Sequence, residues 1–150
     1  MYKRIMVAID DSFATSKVLD SAIESARQHG AKLAICHAID ETIFAQREAA
    51  IMLSSSVGKV ALNLKESAQV FVDQAAETAR KAGIEVETLI VESELGHVAE
   101  MLADASAKWQ ADLLVVGTHG RRGVERFFVG SVAEKLVSKA NASLLLVRGN

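Results

Sequence analysis

Short apolar runs alternate with helically spaced apolar positions along the whole chain, and that alternation leaves few folds open. Ile5-Met6-Val7-Ala8-Ile9 is apolar without a break and stops at Asp10-Asp11-Ser12. Leu113-Leu114-Val115-Val116 is a run of the same kind. A stretch this short, apolar at every position, suits a strand covered on both faces, as in a parallel sheet. The pattern predicts strands over residues 3–9, 32–39, 84–91, 112–116 and 144–147. Between them the spacing is helical. Ser12 can cap a helix carrying Val18, Leu19, Ala22, Ile23 and Ala26, which Gly30 stops. Val57, Val60, Leu64, Ala68, Phe71, Val72, Ala75 and Ala79 follow, with Gly83 as the stop. Val98, Met101, Leu102 and Ala105 mark a third helix, and Val132, Leu136 and Val137 a fourth. Strands that alternate with helices imply an α/β fold, a parallel sheet with helices on both faces. Residues 40–56, ending in Ser54-Ser55-Ser56, fit a loop, a short helix or a flap equally well.

Composition narrows the class. The 150 residues suit one domain, residues 1–150, able to bury most of its unfolded surface without staples. Hydrophobic residues make up 50% and charged residues 24%, and proline is absent, which excludes disordered and collagenous chains. No apolar run approaches the roughly 20 residues of a membrane span. Met1-Tyr2-Lys3-Arg4 leads into only five apolar residues, so neither a secretory signal nor a membrane helix is expected. The lone Cys36 sits within an apolar run, as a buried thiol of a reducing, cytoplasmic compartment would. A net charge of −2 gives the molecule no strong pull on nucleic acid or acidic membranes.

The charge is unevenly placed. Residues 84–116 carry seven acids and one base, whereas residues 117–150 carry six bases and two acids. The bases begin with Arg121, Arg122 and Arg126, beside Gly117, Gly120 and Gly123. Glycines at that spacing after a strand let backbone amides turn inward. Gly130-Ser131 then opens a helix, whose free N–H groups and dipole favour an anion. The two parts together suit a phosphate. A Walker loop would need lysine after Gly130, and a dinucleotide turn would follow the first strand, where Asp10-Asp11-Ser12 stands instead. His29, His37, His97 and His119 show no ligand spacing with Cys36 or with paired carboxylates, which argues against a protein-only metal site.

Gly117, two residues, Gly120, nine residues, Gly130 and Ser131 resemble the motif of the nucleotide-binding universal stress protein family. Val7-Ala8-Ile9-Asp10 followed by Ser12, and His37-Ala38-Ile39-Asp40, fit the same family, and the likeness covers nearly the whole chain. The resemblance implies a single Rossmann-like domain, a five-stranded parallel sheet of order 3-2-1-4-5, and a homodimer through the last strand, from Leu144 to Val147. It implies ATP at the carboxyl ends of strands one and four, with Mg²⁺ held mainly by the nucleotide. In that arrangement Ala8 and Asp10 line the ribose, Ala38 offers backbone groups to adenine, and Val116 and Gly117 form the floor. Gly120, Gly130, Ser131 and Val132 give amides to the phosphates, while His119 and Arg121 stand close enough to donate or simply face water. Many family members carry proline before the last strand; here Ser143 stands there and restores an amide donor.

Glu125 is the only acid of the phosphate loop and has no visible partner, so no fast enzyme is expected. ATP would be retained, hydrolysed slowly or used in autophosphorylation. Three other readings compete. A phospho-receiver lacks an aspartate where strand three ends, at Val91-Glu92-Ser93. A nucleotidyl transferase or ATP pyrophosphatase lacks its motif near strand one. An interaction scaffold of the same fold would bind no nucleotide.

Overall fold

The computed structural model describes residues 1–10, 15–40, 57–93, 97–118 and 130–148, with backbone alone for residues 40, 57–64 and 93. In chain order the elements are β1 (Arg4–Ile9), α1 (Thr15–His29), β2 (Lys32–Asp40), α2 (Val57–Lys81) and β3 (Val86–Ser93). They continue with α3 (Val98–Lys108), β4 (Leu113–Gly117), α4 (Ser131–Lys139) and β5 (Ser143–Val147). The strands form one parallel sheet of order β3-β2-β1-β4-β5, as the resemblance implies.

Successive strand residues point to opposite faces, so unbroken apolar runs feed two cores. Ile5, Val7, Ile9, Leu33, Ile35, Leu113 and Val115 meet α1 and α2 on one face. Met6, Ala34, Cys36, Leu114 and Val116 meet α3 and α4 on the other. Cys36 is fully buried, and burial pushes its thiol up to about 12.

Three helices close in the same way. After α1, Ala31 N–H donates to Ala26 O at 2.9 Å, with Gly30 at φ 62°. After α2, Ile84 N–H donates to Ala79 O at 3.1 Å, with Gly83 at φ 80°. These are paired-bond terminations that need a left-handed residue, and glycine adopts that conformation without strain. After α3 the same turn is made by Gln110, at φ 58°, with Ala111 N–H on Ser106 O at 2.9 Å.

Some boundaries differ from expectation. The third strand runs from Val86 to Ser93 rather than over residues 84–91. Ile84 is taken up by the helix termination and buries its side chain there. The fourth strand starts at Leu113, because Asp112 serves as a tie to β1. Its carboxylate accepts N–H bonds from Lys3 at 2.8 Å and Arg4 at 3.0 Å. Val137, expected inside, is exposed. The buried stripe of α4 passes through Ala133 and Leu136 to Ala140, and Val137 lies a further 100° around the helix. Ser143 begins β5 and spends its amide, donating to Asp112 O at 3.2 Å.

The amino ends of the strands are joined by an aromatic clamp. The Arg4 guanidinium lies 4.0 Å over the Trp109 ring, and its Nε donates to Trp109 O at 2.9 Å. Trp109 Nε1 in turn donates to Glu87 Oε2 at 2.8 Å.

Candidate functional site

β1 and β4 are neighbours at the middle of the sheet, with Val7 opposite Val115. The chain leaves β1 towards β2 on one side and leaves β4 towards β5 on the other. Connections that part in this way open a crevice at the carboxyl ends of the two strands. Ala8, half-buried, and Val116, buried, face α3 and α4 near that end. Ala38 faces the same way one strand further out, on β2. Asp10 follows β1, and Gly117 ends β4 opposite Val147.

The second half of the glycine motif is tied to the first by backbone. Thr118 N–H donates to Val147 O at 2.9 Å, and Thr118 C=O accepts the Gly130 N–H. The start of α4 is thereby fixed against the end of β4. Gly130 is the N-cap, at φ −58° and ψ 154°, and no side chain caps the helix. The first N–H groups of a helix have no acceptor inside it, and the dipole is positive there. The exposed Ser131 adds a hydroxyl at the same place, and Val132 lies half-buried behind it. The result is a set of fixed backbone donors suited to an anion.

Asp10 is held from α1. Its N–H donates to Thr15 Oγ1 at 3.2 Å, and the Thr15 hydroxyl donates to the Asp10 carbonyl and lies 3.1 Å from Oδ1. His37, on β2 beside Ile9, is buried and places Nδ1 at 2.9 Å from Ile9 O. A carbonyl only accepts, so Nδ1 carries the proton. The imidazole meets the Phe71 ring edge-on, with centroids 5.3 Å apart.

The structure therefore brings Ala8, Asp10, Val116, Gly117, Gly130, Ser131 and Val132 to one end of the sheet, with Ala38 on the adjoining strand. His119, Gly120 and Arg121 lie outside the described residues, as does Ser12, the expected cap of α1. Thr15, His37 and Thr118 join the site, although sequence reasoning does not put them there. The signal for His37 is a polar residue inside an apolar strand. Thr15 gives none, since Ser12 fits the role of helix start better.

The profile described as the universal stress protein family matches residues 1–148. The chain belongs to the universal stress protein family. Among its relatives in that family is the universal stress protein YxiE of Bacillus subtilis, 30% identical over 158 residues that span 99% of this chain and 100% of YxiE. Solved universal stress proteins share the fold. One, in complex with cAMP, is 23% identical with a TM-score of 0.66, covering 99% of this chain and 98% of its own. Another, from Archaeoglobus fulgidus in complex with dAMP, is 23% identical with a TM-score of 0.62, covering 97% of each chain. No helix among the described residues is long and apolar enough to cross a membrane.

Proposed function

We propose that this universal stress protein holds ATP at the carboxyl ends of β1 and β4 and works as a nucleotide-dependent stress-response module. The observation that carries the reading is the backbone bond from Gly130 to Thr118. It sets an uncapped helix start beside the strand whose neighbour leads into Asp10. Donors fixed in advance suit phosphate, and a carboxylate nearby suits sugar hydroxyls. The adenine nucleotides bound by the two solved relatives support the same class of ligand.

In this reading Asp10 and Ala8 meet the ribose, and the Ala38 backbone meets adenine. Val116 and Gly117 lie under the nucleotide. Gly120, Gly130, Ser131 and Val132 donate to phosphate oxygens, with His119 and Arg121 reaching the terminal ones. Any Mg²⁺ is held by those oxygens and by water, its usual ligands on a nucleotide. In this reading turnover, whether hydrolysis or transfer to a nearby hydroxyl, is slow, because Glu125 is the only acid in the sequence of the phosphate loop.

The reading includes a homodimer in the cytoplasm. β5 is an edge strand of sequence Ser143-Leu144-Leu145-Leu146-Val147, and Leu145 is exposed on it. An apolar edge of this kind favours pairing with a second copy.

The test is direct. Freshly purified protein is denatured and the supernatant analysed for nucleotide, and the emptied, refolded protein is titrated with ATP, ADP, AMP and cAMP by calorimetry. Released ATP or ADP, with ATP bound more tightly than AMP, is the expected result. An empty supernatant and no heat of binding would leave the scaffold reading in its place.

A further inference from the structure

We infer that His37 is the positioning residue for the nucleoside half of the site, through the hydrogen bond it gives to the last carbonyl of β1; this rests on the reading of the site given above. The register of β1 against β2 ends at Ile9 beside His37, while β2 runs on to Asp40 alongside β3. The peptide between Ile9 and Asp10 lies at that fork, and it is held on both sides. Its C=O accepts from His37 Nδ1 at 2.9 Å. Its N–H points the opposite way and donates to Thr15 Oγ1 at 3.2 Å. The Thr15 hydroxyl spends its own proton on the next carbonyl, that of Asp10.

His37 does not itself face the nucleotide. Side chains alternate along a strand, so His37 shares the α1 and α2 face with Leu33 and Ile35, whereas Ala38 shares the α3 and α4 face with Ala8. It acts from beneath, through the backbone. A leucine would fill this place without burying a polar ring, which costs free energy unless the ring is hydrogen-bonded. The imidazole is buried nonetheless, Phe71 sets it edge-on from α2, and the proton on Nδ1 goes to Ile9 O. The two halves of the site thus have separate ties. The donors at the start of α4 are held through Thr118, and the end of β1 is held through His37. Losing the His37 tie should be felt by the nucleoside and not by the phosphates.

The experiment titrates wild type, His37→Leu and His37→Asn with ATP, adenosine and inorganic triphosphate, each protein checked for folding by circular dichroism. His37→Leu should weaken ATP and adenosine alike by roughly three- to tenfold, the scale of one hydrogen bond, and leave inorganic triphosphate unchanged. His37→Asn should bind as wild type does, because Asn Nδ2 stands as many bonds from the backbone as His Nδ1. If His37→Leu does not fold, His37→Gln, whose donor lies one bond further out, supplies the comparison. A long-range ¹H–¹⁵N spectrum of the wild type should find the ring proton on Nδ1. Equal losses for adenosine and triphosphate would make His37 a general support and overturn the proposal. So would wild-type affinity in the leucine variant, a folded asparagine variant as weak as leucine, or a ring proton on Nε2 alone. Wild-type protein that binds no ATP would overturn the reading of the site itself, a result visible without any variant.

Discussion

Exchanging Gln110 for glycine should make the protein more stable even though it removes a side chain. Gln110 is exposed and sits at φ 58° at the end of α3. For an L-residue the left-handed region costs roughly 1–2 kcal/mol. Glycine avoids that strain but widens the unfolded ensemble, which offsets about 0.4–1 kcal/mol. The net gain is about 0.5–1 kcal/mol. In a chain of this size that raises Tm by roughly 1–4 °C. The reverse exchange is available in the same molecule. Gly30, at φ 62°, and Gly83, at φ 80°, make the matching turns, and a Cβ added at either meets nothing within 4 Å. Gly30→Ala and Gly83→Ala should therefore each lose about 1 kcal/mol from backbone strain alone. Urea titrations of the four proteins without ligand, at equal slopes, read the differences as midpoint shifts. The reasoning is refuted if both glycine variants lose stability and Gln110→Gly gains none.

Leu136→Ala should cost about 2–5 kcal/mol, because the side chain is fully buried where α4 meets the sheet; urea unfolding checks it. Cys36 should make the alkaline limb of stability steeper. Its folded thiol is held up to about 12, so the unfolded chain gives up the proton first. The stability tied to this group is intact below the usual thiol range, near 9.0, and declines towards about 12. Wild type should lose more stability than Cys36→Ala over that window, and parallel curves would contradict the assignment. On the proposed function, folded Gly120→Val should fail to bind ATP in calorimetry, because a phosphate cradle needs a close backbone approach that a β-branched residue hinders; unchanged affinity would remove Gly120 from the proposed site.

Much of this architecture is legible because two periodicities, of strand and of helix, alternate without overlap. Strands such as β1 and β2 are apolar on both faces, with Val7 turned to one layer and Cys36 to the other, and a parallel sheet with two helical layers covers both. The helix ends at Gly30 and Gly83 are legible for a similar reason, since few residues accept a positive φ. Gln110 makes the same turn with a residue that carries no turn signal, so that end is hidden. Ile84 misleads because an apolar residue after a helix stop looks like a strand start, whereas it is part of the stop. Spacing alone singles out Gly117 and Gly130, which the fold brings to the same end of the sheet. The contact of His37 with Ile9 spans 28 residues and exists only because β2 lies beside β1 in register. The order of the strands comes from the family likeness, since no local pattern encodes it.

The clamp of Arg4, Trp109 and Glu87, with Asp112 beside it, lies at the amino ends of the strands, opposite the crevice. On the proposed function, the sheet has a maintenance end and a working end. Mutational drift at the first would change how long the molecule survives, while drift at the second would change what the proposed site holds. Because the two are a strand length apart, one can be rewritten without retuning the other. A library confined to the carboxyl ends can seek new ligands on a scaffold whose fastening is left untouched.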